Sequence, residues 1–398
     1  MASDLVTGYL RWALLRAALA RGWWLVTSVY LVLDARLSPT ELILVGVFQG
    51  LTVLVAEVPA GVLADTVSRR LAVVLAQVAT GTGMLATAFV TDFPLVVATQ
   101  CLWGLGWALA SGADVAWITD ELDDAGRIDR VLVAAARREL IGAVAGPALF
   151  GVVAWAGGRE VAIVVAGAAM VLLALAVARW PEDGFVPAAA GGRRAAAAGT
   201  MRAGGVLARS DGVVLGVLVA TALVNGGHEG FGRLLQRRIL DLGLPTDLDP
   251  IVWFTGLALA SAAAGAMVLR VVEPRIDGVG VAARSYLAVG IVGAVGIVVF
   301  ALAPGAGWAA AGTVLVAGIA FPTARVAATV LVNRRTTSAA RATAHSLLSQ
   351  AENGGELVFG LALAAVAGAT TGTAALLGAA LLVAAAGLVV GRTGQSGA

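Results

Sequence analysis

Apolar runs of about 20 residues follow one another almost end to end through this chain of 398 residues, and that is the length a helix needs to cross the hydrocarbon core of a bilayer. A soluble helix buries one face and shows water the other, so its apolar residues recur in a stripe. Here the runs are apolar all round. With 59% hydrophobic and 13% charged residues, against roughly 45–50% and about 25% in soluble domains, most of the chain has lipid for its solvent. Punctuation by Pro, Gly and charge predicts spans at about 13–33, 42–64, 71–91, 95–119, 133–155 and 161–180, then at about 212–235, 250–270, 285–303, 308–332, 344–368 and 373–391. Twelve such helices use roughly 240 residues. The expected fold is all-α integral membrane, with twelve transmembrane helices in two pseudo-symmetric six-helix halves, 1–180 and 211–398. A cytoplasmic linker, 181–210, joins them; it is rich in Ala, Gly and Arg and reads as mobile.

Composition removes several function classes. All 27 basic residues are Arg, and in a membrane chain these are placed by orientation rules, so a nucleic-acid partner is set aside. One cysteine, Cys101, and two histidines, His228 and His345, exclude an internal disulfide, a thiolate cluster and a His-rich metal site, so neither metal nor cofactor is expected. The chain has no HExxH, P-loop or nucleophile elbow, which argues against an enzyme. The N-terminal MASDLVTGYLRW lacks a cationic region leading into a short apolar stretch, so no removable signal peptide is expected and the first helix serves as its own insertion signal. With the N-terminus in the cytoplasm, 20 arginines fall on the cytoplasmic side or at helix ends there, against four outside (Arg36, Arg159, Arg237 and Arg238). That bias places both termini in the cytoplasm of a multi-pass protein of the inner (plasma) membrane. Six helices, a linker and six more is the layout of a duplicated transporter.

Several short segments carry a family resemblance, among them Ser111 to Glu121 and Arg341 to Gln350, which look like stretches of bacterial efflux-type members. Glu57-Val-Pro-Ala-Gly61-Val-Leu-Ala-Asp65-Thr-Val-Ser-Arg69-Arg70 resembles the loop 2–3 signature of the major facilitator superfamily: Gly, Asp four residues later, then two basic residues. Thr66 and Ser68 stand where the family often has a basic residue and Gly. The resemblance implies a conformational gate in which Gly61 allows close helix approach, Asp65 sits at a helix end, and Arg69 and Arg70 anchor the cytoplasmic face. In span five, Gly142 to Gly151 looks like the Gly-Pro motif of the drug:proton antiporter branch, with Gly146 and Pro147 permitting a bend; ordinary small-residue packing is the other reading. In span four that branch carries a buried Arg four residues before a Gly, and here Gln100 precedes Gly104. The resemblance implies alternating access and export of small molecules against protons.

Charged residues inside the spans point to the chemistry. An ionised side chain at the centre of a span costs about 2.5–3.5 kcal/mol on insertion scales, so each needs a partner or a wet cavity. Arg21, Glu57 and Asp114 fall roughly 8–12 Å from the cytoplasmic face at 1.5 Å per residue. They form a candidate proton-coupling cluster in which one Arg faces two carboxylates and the spare acid carries a proton. A structural ion pair joining spans one, two and four is the alternative. In the second half Arg325 is expected to pair with Glu352, and Glu356, one turn deeper, joins the proton-coupling candidates. His228 and Glu229 are placed near the outer end of span seven as cavity candidates. Trp103 and Trp107, a turn apart in span four, and Trp24 and Tyr30 in span one lie away from span ends; with Gln100 they are candidates for a wall on which an apolar or cationic substrate stacks. The partners expected are thus a small-molecule substrate, protons and the lipid bilayer. An uptake facilitator or proton symporter for a small metabolite is the alternative function; the spans offer few Asn and Gln for binding a polar metabolite.

Overall fold

The computed structural model describes residues 2–122, 124–187, 211–244, 248–276, 278–336 and 338–396, and among them all regular structure is helical. In chain order the helices are α1 (Ala2–Leu33), α2 (Pro39–Thr66), α3 (Arg69–Thr87), α4 (Phe93–Ala110), α5 (Ala113–Leu122), α6 (Ala125–Gly157) and α7 (Arg159–Val177). Then follow α8 (Gly212–Asp241), α9 (Pro250–Val272), α10 (Val279–Ala301), α11 (Ala306–Thr313), α12 (Phe321–Arg335), α13 (Ser338–Ala369) and α14 (Gly372–Ser396). Short polar residues cap three of the helices through their side chains. Ser68 accepts from the Leu71 N–H at the head of α3. Asp124 takes the Arg127 N–H at α6, and Asp211 takes those of Val213 and Val214 at α8.

Among the described residues, ten helical stretches are long and apolar enough to cross a membrane: Pro39–Thr66, Arg69–Thr87, Phe93–Leu122, Gly126–Gly157, Arg159–Val177, Gly212–Asp241, Pro250–Val272, Val279–Ala301, Ala306–Arg335 and Gly372–Thr393. The other two long helices, α1 and α13, carry charged residues within the run, Arg16 and Arg21 in one and Glu352 and Glu356 in the other.

Two expected spans are interrupted. Span four breaks at Ser111–Gly112, where Gly112 adopts a φ of 75°, a left-handed conformation that costs any residue with a Cβ. Asp114 therefore opens a new short helix, α5, instead of ending a long one. Span ten contains a π-helical stretch, Val314–Ala320, immediately before Pro322. Pro322 has no N–H to give and its ring crowds the preceding turn. The hydrogen-bond ladder widens there, and the Phe321 N–H reaches back five residues to the Val316 carbonyl.

The chain divides into two compact units. The first comprises residues 1–37, 48–193 and 249–255. In it α1 packs along α6 and α7, and α3 along α4 and α7. The second comprises residues 38–47, 194–248 and 256–398. In it α8 packs along α13 and α14, and α10 along α12 and α14. Residues 181–187, expected to begin a mobile linker, are held down within the first unit: Glu182 accepts from Ser68 Oγ (2.6 Å) and the Arg70 N–H (2.8 Å), the Pro181 carbonyl from Trp117 Nε1 (2.9 Å), and Glu121 from the Gly184 N–H (2.9 Å). The remainder of the expected linker, 188–210, lies outside the described residues.

Candidate functional site

In the first unit, the expected cluster of Arg21, Glu57 and Asp114 is rearranged. Asp114, 8% exposed, has its ion-pair partner in Arg16 at 3.8 Å, a residue assigned from sequence to the cytoplasmic end of α1. The reason is the break at Gly112, which sets Asp114 at the head of α5 rather than along α4. The Arg16 guanidinium also lies over the Trp12 ring, 4.8 Å from its centroid. Arg21 is exposed and, with Arg16 and Asp114, lies within electrostatic reach of Glu139 on α6. Glu57 is half-buried on α2.

The signature at the α2–α3 junction forms a connected network. Asp65 lies 3.6 Å from Arg69 across one turn. Arg69 also pairs with Asp120, donates to the Ala116 carbonyl (2.9 Å) and lies over Phe185. Arg70 donates to the Trp180 carbonyl at 2.7 Å. Gly61 is half-buried on α2. Gly146 meets the Ala18 backbone on α1, so a Cβ there would strike the Ala18 carbonyl oxygen, and Pro147 follows inside the continuous helix α6.

The aromatic candidates divide. Trp23, Trp103 and Trp107 stack in sequence, with centroids 6.2 and 5.8 Å apart and planes within 12° and 13°. Trp24 leans on Trp103, and Trp107 at the end of the stack is 53% exposed. Tyr30 and Gln100 face inward instead. Tyr30 donates to the Val90 carbonyl at 3.2 Å, and Gln100, 1% exposed, donates to Thr87 of α3 at 3.3 Å. Gln100 thus ties α4 to α3 and Tyr30 ties α1 to the turn after α3, where open positions were expected.

The second unit gathers more charge than the sequence reading foresaw. Helix α8 runs on to Asp241, so Glu229 lies near its middle and not at an outer end. One turn further, Arg233 donates to Glu229 at 2.7 Å, and both side chains are largely buried. The expected pair of Arg325 and Glu352 forms at 3.8 Å, with the guanidinium largely exposed. Glu356 lies within electrostatic reach of Glu229, Arg233, Glu352 and Arg325. His228 meets the Phe321 ring edge-on at 4.2 Å. The residues missed from sequence are Arg16, Glu139 and Arg233. For Arg233 a signal existed, since an acid and a base four residues apart share one helix face.

No curated protein matches this chain. Solved structures match its fold over nearly the whole length. A nucleoside transporter, NupG, superposes with a TM-score of 0.75 at 15% identity, covering 99% of this chain and 98% of the other. A bacterial homologue of the human lysosomal transporter Spinster gives 0.73 at 15%, covering 99% and 97%. A POT family transporter in complex with 5-aminolevulinic acid gives 0.73 at 12%, covering 98% and 96%. The sequence itself matches the Major Facilitator Superfamily over residues 13–360, and with that match the chain belongs to this superfamily of membrane transporters.

Proposed function

We propose that this protein is a secondary active transporter that exports apolar or cationic small molecules in exchange for protons, by alternating access, in the manner of the drug:proton antiporter branch. We count α1 and α13 as spans eleven and twelve beyond the ten apolar stretches, their charged residues marking where the bilayer gives way to a wet path. Two six-helix halves, 1–180 and 211–398, are supported by the recurring scheme of helix pairings in the two units. The arginine distribution supports an inner (plasma) membrane protein with both termini in the cytoplasm.

The observation that carries the reading is the cluster of Glu229, Arg233, Arg325, Glu352 and Glu356. Three carboxylates share two guanidiniums. With Glu229 paired to Arg233 and Glu352 to Arg325, the carboxylate in excess is Glu356, and a proton or a cationic substrate group balances it. Asp114 with Arg16 and Glu139 offers a second such set in the first unit. Glu57 and Arg21 stay proton-coupling candidates beside it. Trp24, Trp103 and Trp107 supply an aromatic surface, and His228 adjoins Glu229 of the acidic cluster. Gly61, Asp65, Arg69, Arg70, Gly146 and Pro147 are the candidate moving contacts.

Proteoliposomes loaded in turn with cationic dyes, drugs and metabolites test this reading when export is followed with and without a pH gradient. The gradient is expected to accelerate export, and Glu356→Gln to abolish that acceleration in a protein that still melts cooperatively. Undiminished acceleration in the variant refutes the assignment, and gradient-driven uptake refutes the direction.

A further inference from the structure

The second unit includes the first turns of α2, residues 38–47, beside α8 and α13. A Cβ built on Gly46 would fall on Glu229 Oε1 and stand 2.6 and 2.8 Å from Arg233 Nε and Nη2. The volume a methyl group would need is the volume the ion pair fills. We propose that Gly46 is a positioning residue for the Glu229–Arg233 pair, and that its lack of a side chain keeps Arg233 committed to Glu229 so that Glu356 stays the unmatched acid. The proposal rests on the proton-coupling reading of this cluster.

The surroundings support it. Facing Glu356 are Glu229 and Arg233 from α8, Arg325 from α12 and Glu352 from its own helix, with His228 one residue before Glu229. The described part of α14 has one charged residue, Arg392, near its far end, and Glu41 in the first turn of α2 is engaged with Ser38 at 2.8 Å. Arg233 is therefore the cation whose commitment decides how much negative charge Glu356 meets. A methyl group at 46 displaces the Glu229 carboxylate and turns Arg233 toward Glu356.

Two measurements on the full chain separate this proposal from the reading beneath it. The first compares melting in detergent of G46A, E229A/R233A and the triple variant. G46A is expected to lower the melting temperature in the native background and to leave it unchanged or raise it once the pair is gone, because the alanines vacate the space and alanine favours the helix. Equal losses in both backgrounds overturn the steric claim, as does a triple variant that fails to fold. The second follows the infrared carbonyl band of the protonated carboxyl through a pH titration, assigned by its disappearance in Glu356→Gln. G46A is expected to move the midpoint by about one pH unit, a tenfold change, since a charged neighbour at about 4–6 Å acts on that scale. An unmoved midpoint overturns the positioning role. If Glu356→Gln removes no band, the proton reading fails, and the melting comparison alone decides the placement of the pair.

Discussion

Replacing Gly146 with Ala separates packing from helix propensity, because the two act in opposite directions. In an isolated helix Gly→Ala is stabilising by about 1 kcal/mol. At Gly146 the added methyl would strike the Ala18 carbonyl oxygen and stand 2.8 and 2.9 Å from that residue's C and Cα atoms. These are backbone atoms of α1 and have no rotamer in which to retreat. Non-bonded carbons settle at about 3.5–4.0 Å, so α1 and α6 must part by roughly 0.6–1.2 Å, and a gap of about 0.5–1 Å already forfeits a quarter to a half of each dispersion contact along the seam. Lipid supplies no hydrophobic pressure to close it, since van der Waals contact is what holds helices together there. Overpacking of this kind costs about 1–3 kcal/mol, more than propensity returns. Gly50 on α2 is the internal control, because a Cβ there meets nothing within 4 Å. Melting of the purified protein, followed by tryptophan fluorescence, should show Gly146→Ala below and Gly50→Ala at or above the parent. Gly146→Ala melting at or above the parent refutes the close-packed seam.

Two further perturbations follow from geometry. Arg159 grips Asp34 through two bonds of 2.6 and 2.9 Å, a fork that lysine cannot reproduce; Arg159→Lys is expected to lower stability by about 1 kcal/mol, read as a lower melting temperature that added salt narrows. Gly112→Ala forces a side chain into the left-handed region at a cost of about 1–2 kcal/mol, so its melting temperature should fall although open space surrounds the site.

Much of the architecture was legible because the bilayer imposes it: runs of about 20 apolar residues punctuated by Pro, Gly and charge locate the helices, although α1 begins eleven residues and α6 eight residues before the expected spans. Arg325 and Glu352 were legible as a pair, since both lie at a similar depth in neighbouring spans. The interruptions were not. Nothing in Ala-Ser-Gly-Ala-Asp distinguishes a continued helix from a break at Gly112, because glycine tolerates both, and that one turn exchanges Arg21 for Arg16 as the partner of Asp114. Glu139 was hidden by Arg137 and Arg138 beside it, which read as a cytoplasmic face. Tyr30 was expected to be available because it lies away from the span ends, and Gln100 because it stands where the resembled branch carries a buried Arg, yet which side of a helix meets a neighbour is decided by packing that a single apolar run does not encode. The contact of Gly46 with Glu229 and Arg233 joins residues far apart in the chain, beyond the reach of any local pattern.

Whether substrate movement is bound to proton movement in the opposite direction is read by trapping a pH-sensitive dye inside proteoliposomes and adding a compound that the flux panel shows to be carried. Exchange changes the lumenal pH from the moment the compound is added, with protons moving opposite to its flux, and the change vanishes in Glu356→Gln. Transport of the compound with no change in lumenal pH would contradict exchange.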